Sequence, residues 1–477
     1  MTLPMITVTR KNFVRKIFVP ILIILAVCAG FAAHQLLAPT KASAPLSVLT
    51  HPDGALYVGD QVSFEVFNPS ASEPASDSLM ISLSGKTLAV ENFAPFGMGG
   101  RSQATFYWAW NTRGLNPGDY TLTFSLLPGQ THWDEKITLL PAAGVPSPEP
   151  EARWESVEIP CCVISYISGT DAEKDSEALK TMAAAQAADV ERRLGAKYAQ
   201  KIPLTFLPRT LGQGGFTSDG IYVSYLHQNY AGSTIQQIVH HEMVHWLDNQ
   251  LGGRMRPSIL EEGLAVYLSD GHFKVEPILP RTAAIIDLGW YIPLRQLTNS
   301  FYISQHEVGY AEAAALISYM VNTYGWDEFN RFYRDIRPAS SGLQADAFDA
   351  ALQAHFSISL DQLEKNFIVF LHKQTVPDSV RTDIRLTVTF YDAVRRYEYE
   401  LDPSAYFLNT WLPDVSQMRQ RGIVADFVRH PDSLLNQQIE TLLVSANADL
   451  LAANYATAEN KIKTVNTLLG LKKYLGN

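Results

Sequence analysis

The segment 232–250, GSTIQQIVHHEMVHWLDNQ, puts His241 and His245 four residues apart with Glu242 beside the first. On a helix, side chains four apart stand one turn above each other, so two imidazoles at this spacing can point at one ion. Glu242 is rotated by one position and reaches a water beside that ion rather than the ion itself. Ser233 followed by Gln236 reads as a capping box, which predicts the helix start independently of the motif. His240 falls outside the spacing and is expected to pack or to support a ligand. A zinc centre needs a third protein ligand and an open position for water. The chain must therefore bring a second element against this helix.

The sequence offers one. Seventeen residues beyond His245 lies Glu262, in RPSILEEGLAVYLSDG, where Ser258 and Glu261 form another capping box and Gly271 supplies a stop. Capping turns Glu261 toward the helix end and leaves Glu262 to point inward. Without a bound ion, both acids would be solvent-facing residues of an ordinary helix.

The pair HEMVHWL and LEEGLAVYL resembles the two-helix zinc site of gluzincin metallopeptidases, the broad bacterial thermolysin- and aminopeptidase-like superfamily. The resemblance covers roughly residues 163–373. It implies one zinc ion held by His241, His245 and Glu262, with Glu242 as general base. That superfamily often has an acid four residues after the glutamate ligand to orient a histidine, but Val266 stands there, leaving Asp248 or Asp270 as substitutes. The resemblance also implies a tyrosine overhanging the zinc from the start of a long helix. Tyr310 occupies that place in SQHEVGYAEAAALISYM, where it could also be plain helix packing, and His306 is an alternative donor to the oxyanion. GGFTSDGIYVSYL corresponds to the edge strand that pairs with an extended peptide, its Asp219-Gly220 reading as a hairpin turn.

Around this unit the chain changes character. Arg10, Lys11, Arg15 and Lys16 precede the uncharged run Ile17–Ala33, and no acid appears before Asp53. That pattern predicts a transmembrane anchor or a cleaved signal over 17–37, a cytoplasmic basic lead over 1–16, and an extracytoplasmic remainder. The expected location is the cell membrane, single-pass, with secretion after signal cleavage as the alternative. Residues 44–140 alternate apolar and polar positions between turn residues, the pattern of an immunoglobulin-like β-sandwich. Four prolines in 140–153 mark a linker at 141–153. The gluzincin-like domain is then expected over 154–375, and an α-helical domain over 376–477.

The expected fold is thus multidomain: membrane segment, all-β sandwich, α+β zincin-like catalytic domain and C-terminal helical region. Lys and Arg total 38 against 48 for Asp and Glu, a net charge of -10, which offers no basic field for nucleic acid. The expected partners are a peptide or protein substrate and the membrane. Three cysteines exclude a disulfide framework and a four-cysteine metal site, and the adjacent Cys161 and Cys162 could bond only through a strained ring. The function this reading favours is zinc-dependent hydrolysis of peptide bonds by metal-activated water. Its competitors are a catalytically inactive zincin-like surface binding or scaffold protein and a zinc amidase acting on cell-wall material.

Overall fold

A computed structural model describes residues 46–51, 55–67, 78–96, 101–128, 131–145, 151–208, 214–225, 229–230, 232–402 and 433–475. Contact density divides the chain into two units, and the smaller, Met1–Ser47 with Asn68–Ser70, lies almost wholly outside these residues. The rest belongs to the larger.

Its first part is all β. Strands β1 (Ser47–His51), β3 (Gln61–Phe67), β7 (Arg101–Asn111) and β6 (Ala94–Phe96) pair in that order in one sheet. A second sheet runs β2 (Leu56–Tyr57), β9 (His132–Leu140), β8 (Gly118–Leu127), β4 (Ser78–Leu83) and β5 (Lys86–Asn92). Phe64 of the first sheet meets Phe124 of the second edge to face, 5.7 Å between centroids, and both are fully buried.

The second part begins with a five-stranded sheet in the order β10 (Trp154–Glu158), β11 (Cys162–Ile167), β12 (Ile202–Leu207), β14 (Ile221–Ser224) and β13 (Gly215–Thr217). Strands β11, β12 and β14 are parallel, while β10 and β13 close the two edges antiparallel. The link from β11 to β12 is helix α1 (Ser176–Leu194), the crossover that a parallel neighbour requires. Its Leu179, Ala183, Ala187, Val190 and Leu194, at helical spacing, are its buried residues and join the core with Ile164, Leu204 and Phe206. Cys161 and Cys162, at the start of β11, are bonded to each other.

Helices follow. They are α2 (Ile235–Leu251), α3 (Ser258–Leu268), α4 (Ile278–Asp287), α5 (Leu294–Asn299), α6 (His306–Tyr324), α7 (Trp326–Asp335), α8 (Gln344–Phe356), α9 (Leu360–Leu371), α10 (Asp378–Leu401), α11 (Leu434–Leu451) and α12 (Tyr455–Leu475). The last three share a core of Phe390, Tyr397, Leu443 and Ile462.

Two expectations are corrected. The unit is a mixed α/β arrangement, not an α+β one, because the crossover helix makes its central strands parallel. The membrane-anchored architecture is not supported either: its transmembrane helix, membrane partner and single-pass location at the cell membrane have no counterpart among the described residues. Residues 17–37 lie outside the described residues, and among the described residues no helix is long and apolar enough to cross a membrane. The longest described helix is amphipathic: α10 buries Ile384, Leu386, Phe390 and Val394 but carries Arg381, Arg385, Arg395 and Arg396 among them.

Candidate active site

Helix α2 starts one residue later than the capping box implied. Thr234 is its N-cap and accepts from the Gln237 N–H at 3.3 Å. Val239, Met243, Val244 and Leu247 face the core, which turns His241 and His245 toward helix α3. That helix makes no use of the Ser258 box. Pro257 holds the cap, the Ser258 N–H donates to Gln344 Oε1, and Glu261 lies 3.6 Å from Arg256. Glu262 nonetheless faces inward, 8% exposed.

His241 Nε2, His245 Nε2 and Glu262 Oε2 form a triangle with sides of 3.0, 3.2 and 3.2 Å. Zinc bonds of about 2.0–2.1 Å in a tetrahedron imply ligand-to-ligand distances of roughly 3.3 Å, so the donor set fits such an ion with small adjustment. Its charges fit as well. Burial drives His241 down to about 4 against its hydrogen bond to Glu262. His245 rises to about 9, the Glu262 carboxylate outweighing burial. Glu262 is held well below the carboxylate range, since the two imidazoles overcome its burial. A cation held by the three side chains would take the His245 nitrogen in its deprotonated form. Tyr302 donates its hydroxyl to Glu262 Oε1 at 2.7 Å and fixes the carboxylate from outside.

Glu242 is 6% exposed and stands beside the triad. Edge strand β13 crosses over it so closely that a Cβ on Gly215 would lie 2.9 Å from Ile238 Cγ2 and 3.0 Å from Glu242 Cγ. Thr217, from the same strand, donates to Glu242 Oε2 at 2.8 Å. Burial raises the Glu242 carboxyl to about 7, with His245 and the Thr217 hydroxyl pulling the other way. A carboxyl so poised can take a proton near neutral pH.

Tyr310, in the first turns of α6, has its ring 6.2 Å from that of His241. Burial holds its phenol well above the ordinary range, so the hydroxyl keeps its proton. The ring lies on His272 (4.0 Å, 13°) and His306 (4.8 Å, 28°). His272, Glu307 and His306 form a second group close enough to hold a metal ion. The cavity between these elements has a volume of about 370 Å³ and is lined by Glu242, His245, Glu262, Tyr310 and, from α10, Tyr391 and Arg395.

The other sequence candidates lie elsewhere. His240 bonds Ser269 Oγ at 2.9 Å and Asp189 Oδ2 at 3.1 Å, outside the triad. Asp248 is buried against Arg256, Arg334 and Tyr333, and Asp270 pairs with Arg193, so both carboxylates are engaged away from the triad. Sequence reasoning missed Thr217, Tyr302, His272 and the contribution of α10. Only His272 left a trace, as an isolated histidine just beyond the Glu262 helix.

No family model and no curated protein matches the chain. Among solved structures, a point mutant of an M1 zinc metallopeptidase from Deinococcus radiodurans overlaps it with 14% identity, 70% of this chain and 94% of that one covered, and a TM-score of 0.31. An aminopeptidase N family protein from Idiomarina loihiensis overlaps it with 10% identity, 71% and 78% covered, and a TM-score of 0.31. Overlaps this loose carry no argument about the chain, whose function is argued from its own site.

Proposed function

We propose that the protein is a zinc-dependent hydrolase of peptide bonds in which His241, His245 and Glu262 hold one ion, Glu242 is the general base and Tyr310 the oxyanion donor. The observation that carries this reading is the ligand triangle of 3.0 to 3.2 Å with the Glu242 carboxyl beside it at the wall of a cavity. Zinc bound there supplies Lewis acidity toward a water and the scissile carbonyl. Glu242 takes the proton from the attacking water and delivers it to the leaving amine. Thr217 fixes which way the Glu242 carboxylate faces, Tyr302 does the same for Glu262, and the Tyr310 hydroxyl donates to the oxygen on which charge develops. Among the described residues strand β13 stands at an edge of its sheet and borders the cavity, where an extended peptide can add as a further strand. In this reading 154–375 carry the chemistry and α10 closes one wall.

The Glu242 carboxyl beside the triad, oriented by Thr217 at 2.8 Å, favours an enzyme over an inert scaffold, since three ligands would hold an ion without it. The test is metal analysis of the purified full-length chain together with digestion of a diverse peptide library. About one zinc per chain and cleaved peptides are expected. Full zinc occupancy in a folded H241A/H245A variant, or an intact library with zinc bound, would overturn the reading.

A further inference from the structure

The second His/Glu group invites a second metal ion, but its hydrogen bonds oppose one. Arg395, from α10, places Nη2 2.7 Å from His306 Nδ1. A guanidinium can only donate, so Nδ1 accepts and the neutral His306 ring carries its hydrogen on Nε2. Burial and Arg395 hold His306 well below its ordinary range, which keeps the ring neutral. His272 is raised above its ordinary range, the Glu307 carboxylate outweighing burial, and in its neutral form it accepts at Nε2, a long 3.4 Å from His306 Nε2, and carries its own hydrogen on Nδ1. That nitrogen donates to Glu307 Oε1 at 2.7 Å. Every link runs in one direction: guanidinium, imidazole, imidazole, carboxylate. A cation between the two Nε2 atoms would meet an N–H instead of a lone pair, whereas a metal-bound imidazole commonly donates its far nitrogen to an acceptor.

The chain of bonds fixes two ring planes, and Tyr310 rests on both of them. Phe301 meets the phenol edge-on at 5.0 Å, and Tyr391 of α10 stacks on His306 at 5.1 Å. His306, Glu307 and Tyr310 all belong to the first turns of α6, while His272 comes from the loop after α3. Arg281, 2% exposed, braces that loop through an ion pair to Glu276 at 2.8 Å and a contact to Asp383 of α10.

We propose that Arg395, His306, His272 and Glu307 form a metal-free hydrogen-bonded relay that positions the Tyr310 hydroxyl over the first site, so that the protein binds one metal ion and not two. The assignment rests on the oxyanion role given to Tyr310. It makes Arg395 a positioning residue, and it makes helix α10 part of the catalytic apparatus.

The test uses the full-length wild type with Arg395→Met, which removes every donor at similar length, and Arg395→Lys, which keeps one. Zinc per chain, melting temperature, kcat and KM are measured on a peptide that the wild type cleaves, with E242Q alongside. All forms should hold one zinc. R395M should lose about 10- to 100-fold in kcat with KM within about twofold, and R395K should regain most of the loss. Two zinc ions in the wild type would overturn the relay without any variant, so the count decides even if R395M fails to fold. A raised KM at unchanged kcat would make Arg395 a substrate contact, and unchanged kinetics would remove its role. A wild type that binds one zinc and cleaves nothing, or an E242Q variant as active as wild type, would refute the peptidase reading itself.

Discussion

Gly263 follows the proposed ligand Glu262 directly, and it is where helices α3 and α6 touch. A Cβ added there would lie 2.6 Å from the Ala313 carbonyl oxygen, 2.8 Å from its carbon and 3.0 Å from Ile317 Cγ1. Ordinary contact begins near 3.4 Å, so Gly263→Ala forces the helices apart by about 0.8 Å, and the obstacle is backbone that has no rotamer to yield. In an unobstructed helix the same change would stabilise the protein by roughly 0.4–1 kcal/mol, so the sign of the effect is diagnostic. Here overpacking should cost about 1–3 kcal/mol and lower the melting temperature by roughly 2–8 °C. Because ligand distances tolerate only about 0.2 Å, the displaced Glu262 should also weaken zinc binding at least about tenfold. Calorimetric melting with and without chelator, and competition titration with a zinc indicator, read both effects. A G263A variant that melts at or above the wild-type temperature with unchanged zinc affinity would refute this account of the α3–α6 contact.

Glu312 is fully buried, accepts from the Ile292 N–H through Oε1, and has no hydrogen-bond partner for Oε2 among the described residues. Burial raises its carboxyl well above 4.5, so the folded state binds the proton more tightly than the unfolded one and stability falls as pH rises above about 4.5. Glu312→Gln cannot ionise, so it should melt higher than wild type at pH 8, by roughly 1–3 kcal/mol, with the gap closing toward pH 4; equal melting at pH 8 would show that the carboxylate is tolerated. Thr217→Val should lower kcat about tenfold without changing zinc content, and T217S should restore it; full activity in T217V would mean that Glu242 needs no such guide. Tyr310→Phe should keep fold and zinc while reducing kcat by roughly 10- to 1,000-fold, and unaltered turnover would discard the phenol's role.

The convergence of His241, His245 and Glu262 was legible because two local periodicities suffice for it, an i,i+4 pair on one helix and one inward position on the next. The capping boxes were read less well. Thr234 rather than Ser233 caps α2, and Pro257 displaces Ser258, since a cap is decided by backbone geometry at a single residue. What holds the site in place was not legible at all. Thr217 reaches Glu242 across 25 residues, Tyr302 reaches Glu262 across 40, and Arg395 reaches His306 across 89, and no local pattern encodes such meetings. Asp248 and Asp270 show the same limit, for both pair with arginines that no local pattern brings to them. The direction of the strands over 162–207 is not written in strand composition. Only the helical crossover makes β11 and β12 parallel and the unit α/β. The membrane expectation came from the basic lead and the uncharged run within 1–37, which lie outside the described residues, and it has no counterpart among the described helices.

The central claim is that Glu242 performs the proton transfer while three other residues hold the metal. Glu242→Gln tests it most directly, because glutamine keeps the shape of the side chain and its acceptor oxygen but cannot act as a base. Zinc content and peptide turnover are measured on the same purified E242Q sample, shown to be free of contaminating protease. The account predicts about one zinc per chain, with turnover reduced by about 10²-fold or more. Peptide hydrolysis at the wild-type rate with zinc in place would contradict it.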